Sequence, residues 1–228
     1  MRRIIVGAFM SLDSVMQAPG GPDEDPSRGF RFGGWSVPFW DETLGEAMGE
    51  TFSRPLDLLL GRRTYDIFAA HWPHVDVDPS SSQFDALNSD IANMFNRITK
   101  YVATHRPESL TWENSEALGS DVVARIRELK AGDGPDLLTQ GSTELVQLLL
   151  ANDLVDELRL LIYPLVLGAG KRLFDGGAAP AAFRLTRSTT SASGVIVATY
   201  ERSGEITSGS FAMEIPSDAE LERRRTLS

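Results

Sequence analysis

Short apolar runs alternate with stretches of helical spacing along most of this chain, and this alternation limits the fold more than any other feature. The runs at residues 3–10 and 56–60 are short, and polar or turn-forming residues follow each. Runs of this length are typical of buried strands. Between them, Leu44, Met48 and Phe52 recur at the spacing of one helix face. Strands that alternate with helices predict an α/β fold with a mostly parallel central sheet and helices on both faces.

The same pattern continues to about residue 203. A loop at residues 12–38 precedes the first helix, and a glycine-rich turn holds Gly168, Gly170, Gly176 and Gly177. Further predicted elements are helices from Arg62 and around Phe84, strands at 100–104, 110–113, 137–138 and 158–163, and helices capped by Ser120 and beginning near Leu145. Residues 183–191 and 195–202 predict a C-terminal antiparallel hairpin. We expect one domain over residues 1–203, with the polar residues 204–228 forming a terminal helix outside the core or a tail.

The composition excludes several classes of partner. The chain of 228 residues has 22 Lys and Arg against 32 Asp and Glu, a net charge of −10, which repels nucleic acid and anionic membranes. It has no cysteine, which removes disulfides, thiolate metal sites and cysteine nucleophiles and fits a reducing cytoplasm. No stretch approaches the ~20 apolar residues of a bilayer span. We therefore expect a cytoplasmic protein that binds a small molecule, with no metal, nucleic acid or membrane.

Polar and basic residues follow three of the predicted strands. In open α/β sheets, ligands bind beyond the carboxyl ends of the strands. Taken singly, the three segments could be a strand end with solvated arginines, a polar loop, and a helix start capped by Ser142 or Thr143. Taken together, they predict a pocket for an extended, polyphosphorylated small molecule. The segments are Gly61-Arg62-Arg63-Thr64, Thr104-His105-Arg106, and Gln140-Gly141-Ser142-Thr143.

Two blocks resemble a known family. Residues 58–68, L-L-L-G-R-R-T-Y-D-I-F, resemble the dihydrofolate reductase signature, in which a buried strand ends in G-R-x-T before an aromatic residue. Residues 154–174 resemble most closely the reductase domain at the C-terminus of the bifunctional riboflavin-biosynthesis deaminase/reductase, and its stand-alone relatives. The resemblance covers about residues 2–203. It implies a dihydrofolate-reductase-like three-layer fold, NADPH as the cofactor, a homodimer, and reduction of a small heterocyclic or carbonyl/imine substrate, such as the aminouracil of riboflavin synthesis.

The resemblance also implies roles for the candidate site residues. Residues 61–64 would hold the pyrophosphate and adenosine side of NADPH, and residues 140–143 would hold the pyrophosphate close to the nicotinamide. Residues 104–106 would lie near the adenosine 2′-phosphate. Asp13, Trp35 and Asp41 would line the substrate side. There Trp35 would stack on a flat ring, and Asp13 or Asp41, with a pKa raised by burial, would supply a proton. From the residues alone, Trp35 is equally well a core residue and Asp41 a charge at a helix start.

Departures from the family pattern keep other functions open. Ser14 replaces the glycine of S-L-D-G, Gln140 stands where dihydrofolate reductases have the first of two glycines, and Trp40 precedes Asp41 where their acid would be. These departures favour the alternative of a non-catalytic nucleotide- or ligand-binding protein that kept the reductase fold. The partial phosphate loop ending at Lys171 is followed by arginine rather than Ser or Thr, which argues against a nucleotide-dependent transferase.

Overall fold

Eight strands form one mixed sheet in the computed structural model of the protein, which describes residues 1–175, 178–211 and 215–226. The order across the sheet is β4-β3-β2-β5-β1-β6-β8-β7. From β4 to β6 in this order, neighbouring strands pair in parallel, whereas β8 pairs antiparallel with β6 and β7. The predicted parallel sheet with a C-terminal hairpin is confirmed. The strands are β1 Ile4–Ser11, β2 Leu56–Gly61, β3 Lys100–Ala103, β4 Ser115–Ala117, β5 Asp136–Gln140, β6 Glu157–Tyr163, β7 Phe183–Thr190 and β8 Ile196–Arg202.

Helices cover both faces of this sheet because successive side chains of each strand point to opposite sides. Val6 of β1 packs in the cluster that includes Ile126 and Leu149, whereas Ile5 packs in the cluster of Tyr65 and Phe95. The three-layer arrangement is therefore the one expected. The helices are α1 Glu42–Phe52, α2 Arg62–His71, α3 Ala86–Arg97, α4 Val122–Ala131, α5 Thr143–Ala151 and α6 Asp218–Arg225.

Two local predictions are wrong. Residues 110–113 form no strand, because the backbone N–H of Trp112 donates to the Tyr65 hydroxyl (2.9 Å) and its indole N–H donates to Asn96 (2.8 Å). These bonds tie the segment to α2 and α3, and β4 begins only after it. Ser120 does not cap α4 either; the carboxylate of Asp121 accepts the N–H of Ala124 at 3.0 Å.

The C-terminal residues lie outside the core. Beyond residue 203, the part of the chain that the structure describes has one helix, α6, and no residue of that helix is buried. Gly176 and Gly177 of the predicted glycine-rich turn lie outside the described residues. Within the described ranges, no helix has the length and apolar character that crossing a membrane requires.

Candidate functional site

A cleft of about 1200 Å³ lies at the carboxyl ends of β2, β3 and β5. These strands are neighbours in the sheet, so the topology brings together three segments that are far apart in the sequence. Every residue predicted to contact the cofactor lines this one cleft, whereas the three predicted substrate residues do not. The predicted lining residues are Gly61, Arg62, Arg63, Thr64, Thr104, His105, Arg106, Gln140, Gly141, Ser142 and Thr143.

Two helices begin at the cleft without a side-chain cap. Among the described residues, no side chain accepts a first-turn N–H of α2 or α5. By contrast, Asp41, Asp85 and Asp121 cap α1, α3 and α4 away from it. The first N–H groups of a helix have no intrahelical acceptor, and they carry the positive end of the helix dipole. The cleft therefore receives two positive helix ends, an arrangement that suits a phosphorylated ligand.

A short hydrogen-bonded relay joins these two helix starts. The N–H of Gly61 donates to the Ser142 hydroxyl (2.8 Å), which donates in turn to Thr64 Oγ1 (2.7 Å). A Cβ atom on Gly61 would lie 2.9 Å from the Cβ of Ser142, so a side chain there would force the strand ends apart. Gly141 (φ 78°) and Ser142 (φ 61°) both adopt left-handed conformations, which turns the chain sharply into α5.

The basic residues of the cleft have different surroundings. Arg62 forms an ion pair with Asp66 and donates to the carbonyl of Arg106, so it holds the segment after β3 in place. The side chains of His105 and Arg106 are exposed and, among the described residues, form no hydrogen bond or ion pair. Arg106 therefore presents a guanidinium group that is free to bind a phosphate.

Part of the loop at residues 12–38 is fixed over the cleft by a buried carboxylate. Asp25 forms ion pairs with Arg63 at the start of α2 and with Lys171 beyond β6. Burial raises the pKa of Asp25, but the hydrogen bond from Lys171 and its positive charge lower that pKa overall. The amide of Gln17 also donates to the carbonyl of Asp25 (2.8 Å). Arg63 is thus occupied by the loop.

Glu24 lies beside this network and lines the same cleft. Its carboxylate accepts the N–H groups of Gly20 (2.7 Å) and Gly21 (3.2 Å). Burial raises the pKa of Glu24 above its usual value despite those two hydrogen bonds. Glu24 and Asp25 were missed at the level of sequence, because nothing in the stretch P-D-E-D-P marks which acids are buried.

Asp13 lies outside the cleft lining, and its carboxylate binds the turn after β6. Its carboxylate accepts the hydroxyl of Ser11 (2.6 Å) and the N–H groups of Leu167 (3.0 Å) and Gly168 (2.9 Å). Burial raises the pKa of Asp13, but these hydrogen bonds outweigh it and lower the pKa to about 2. The expected raised pKa is therefore wrong, because the carboxylate fixes the turn after β6 in its charged form.

Trp35 and Asp41 also lie outside the cleft lining. Trp35 is buried, and its indole N–H donates to the carbonyl of Gln17 at 2.8 Å. Asp41 caps α1 by accepting the N–H of Leu44 (3.1 Å), and it accepts the N–H of Ser193 (3.2 Å). Desolvation raises the pKa of Asp41, but these hydrogen bonds lower it overall. The contacts match the alternatives of a core residue and a charge at a helix start.

Comparisons with known proteins agree with this architecture. The family model of the RibD C-terminal domain matches residues 2–197. The uncharacterized protein YyaP of Bacillus subtilis is 24% identical over 205 residues, which are 89% of this chain and 96% of that protein. A candidate riboflavin biosynthesis protein from Shewanella sp. PV-4 shares 19% identity with a TM-score of 0.55, over 88% of this chain and 99% of that one.

Two further solved structures share the fold at lower identity. A pyrimidine reductase-like protein from Corynebacterium diphtheriae has 15% identity and a TM-score of 0.51, over 90% of this chain and 93% of that one. The dihydrofolate reductase of Enterococcus faecalis, solved with NADP(H) and RAB-propyl, has 11% identity and a TM-score of 0.52, over 88% of this chain and 96% of that one. The fold is thus the dihydrofolate-reductase-like fold that the sequence predicted. Since the family model matches most of the chain, this protein belongs to the RibD C-terminal domain family, whose members have a reductase-type domain.

Proposed function

We propose that this protein is an NADPH-dependent reductase of a small heterocyclic or carbonyl/imine substrate, such as the aminouracil of riboflavin synthesis. One observation carries the proposal: two uncapped helix starts and the guanidinium of Arg106, unpaired among the described residues, meet in a single cleft. This distribution of positive charge suits a pyrophosphate with a further phosphate beside it. A homodimer and a cytoplasmic location stay predictions.

The chain's own residues would bind and orient this cofactor. NADPH, when bound, supplies the hydride that reduces the substrate. The first-turn N–H groups of α2 and α5 would hold its pyrophosphate, while Arg106 and His105 would bind the adenosine 2′-phosphate. The loop fixed by Asp25 would cover the cleft and exclude water.

The proton that the reduction also requires needs a donor inside the cleft. Asp13 and Asp41 lie outside it, which favours the second candidate function, a non-catalytic ligand-binding protein. Glu24 lies in the cleft with a raised pKa, and we assign it the role of holding this proton. Turnover of a substrate therefore separates the two candidate functions, and Glu24 is the residue on which that turnover would depend.

Cofactor titration tests the proposal first. We expect NADPH to bind at least ten-fold more tightly than NADH, because a charge-assisted contact to a phosphate contributes about 1.5–3 kcal/mol. Arg106→Gln should remove most of that preference, whereas Arg97→Gln on the exposed side of α3 should keep it. Tryptophan fluorescence can follow each titration, and equal affinity for the two cofactors in the unaltered protein would overturn the cofactor assignment.

A turnover screen then tests the reaction. Reducible heterocycles are added to the protein with NADPH, and the absorbance of the reduced nicotinamide is followed. Glu24→Gln should bind NADPH normally and lose most of the turnover. If NADPH binds and a broad substrate screen gives no turnover, the ligand-binding alternative is supported instead.

A further inference from the structure

A glycine lies in the middle strand of the sheet, at the floor of the cleft. Gly7 of β1 lies in register between Gln140 of β5 and Arg159 of β6. Alternation along the strands places these three residues on the same face, and all of them line the cleft. Because Gly7 has no side chain, no side chain of β1 stands between Gln140 and Arg159; a Cβ on Gly7 would lie 3.7 Å from the Cγ of Gln140.

Arg159 is an unusual residue for this place. Its side chain is 11% exposed, although it lies in a strand whose other residues are mostly apolar. Its Nε donates to the buried carboxylate of Glu157, which fixes the direction of the guanidinium group. In the part of the chain that the structure describes, its two terminal nitrogens, Nη1 and Nη2, donate no hydrogen bond.

Two apolar side chains flank Arg159 on the sheet. Phe9 and Leu161 lie beside it on the floor, and Met48 and Phe68 line the cleft from α1 and α2. An apolar wall excludes water and strengthens an electrostatic contact with the guanidinium. The paired Nη1 and Nη2 groups match the two oxygens of a carboxylate or phosphate in spacing and direction.

We propose that Arg159 binds an oxyanion of the substrate, a carboxylate or a phosphate, and so marks the substrate half of the cleft. Rigid attachment to Glu157 makes Arg159 a specificity-determining residue rather than a mobile surface charge. The inference rests on the proposed function where it calls the ligand a substrate, but the oxyanion site itself does not depend on the cofactor. The substrate class that fits is a small molecule with an apolar or aromatic body and one acidic oxygen group.

Small aromatic probes of similar shape test this site. Benzoate, phenyl phosphate and the neutral benzamide are titrated into NADPH-saturated protein, and binding is measured by calorimetry and by saturation-transfer NMR. We expect benzoate or phenyl phosphate to bind at least ten-fold more tightly than benzamide. Arg159→Gln should reduce that preference to two-fold or less, whereas Arg125→Gln, at a partly exposed position on α4 that does not line the cleft, should leave it unchanged.

Arg159→Lys covers the case in which Arg159→Gln does not fold. It keeps a positive charge beside Glu157 but loses the planar pair of donors, so the preference should again fall several-fold. Equal binding of the anions and benzamide in the unaltered protein, or an unchanged preference in a folded Arg159 variant, overturns the inference. If NADPH fails to bind, the titrations are repeated without it; an Arg159-dependent preference then supports the oxyanion site and counts only against the proposed cofactor.

Discussion

The ends of β2, β3 and β5 in the cleft and the loop at residues 12–38 differ in what determines the positions of their residues. At the strand ends, Gly61, Thr104 and Gly141 reach the cleft because parallel strands present their carboxyl ends at one edge of the sheet. In the loop region, Asp13 is positioned by hydrogen bonds from the turn after β6, and Trp35 by the contact of its ring with Tyr163 of β6.

This difference separates two kinds of evidence in a sequence. A polar residue that follows a buried strand has its place determined by topology, so its type alone is informative. A polar or aromatic residue in a long loop has its place determined by contacts that no local pattern encodes. Substitutions at the strand ends should therefore change ligand binding, whereas substitutions of Asp13 and Trp35 should change the stability of the fold. The loop residues that line the cleft, such as Glu24, belong with the first group.

Gly141→Val should have the largest effect. The left-handed φ of 78° strains any β-branched residue, and the side chain would stand where the backbone turns into α5. We expect NADPH to bind about 100-fold more weakly, a loss of about 2.7 kcal/mol. Fluorescence titration measures the loss, and far-UV circular dichroism shows whether the variant is folded.

Gly119→Val is the matched control for this substitution. Gly119 has a nearly equal φ of 80° and does not line the cleft. Within the described part of the chain, nothing beyond its immediate neighbours lies within 4 Å of the place that a Cβ would occupy. Both variants should therefore lose similar stability through backbone strain, while only Gly141→Val loses NADPH. Equal cofactor affinity in the two variants would return Gly141 to the role of a simple turn residue.

The sequence predicted most of the fold because apolar periodicity and turn residues act locally. Every residue that it predicted at the ends of β2, β3 and β5 lines the cleft, because parallel topology alone brings those ends together. It missed Arg159, although the signal was present as a cation inside an apolar strand, because that residue is informative only once Gly7 is known to lie beside it. Residues 110–113 were misjudged because Trp112 packs against α2 and α3 through contacts made far along the chain.

Asp13→Asn tests whether this loop carboxylate contributes to the stability of the fold and not to ligand binding. The folded-state pKa of Asp13 is lowered from 3.8 to about 2, so the charged form contributes stability above about pH 4 and loses it as the pH falls toward 2. We expect a loss of about 2 kcal/mol in the free energy of unfolding at neutral pH, with NADPH affinity unchanged. Urea unfolding at pH 7 and pH 3 measures it, and the difference from the unaltered protein should shrink at pH 3.

The exposed Asp90 on α3 provides the control for charge removal, and Asp90→Asn should leave stability unchanged at both pH values. An Asp13→Asn variant of full stability that loses substrate turnover would show instead that this carboxylate acts in the reaction. That result would remove the distinction between the strand ends and the loop.

Trp35→Phe should have the smallest effect of these substitutions. The variant keeps an aromatic ring that can pack edge-on against Tyr163, as the Trp35 ring does at 5.1 Å, but it loses the N–H that donates to Gln17. A buried carbonyl then lacks its donor, and the expected cost is about 1 kcal/mol of stability. Trp40→Phe, at an exposed position, should cost nothing measurable.

Because Trp35 lies outside the cleft, kcat and KM for any substrate should not change in Trp35→Phe. A raised KM with unchanged stability would mean that the indole ring stacks on the substrate, and that the loop contributes to binding as directly as the strand ends.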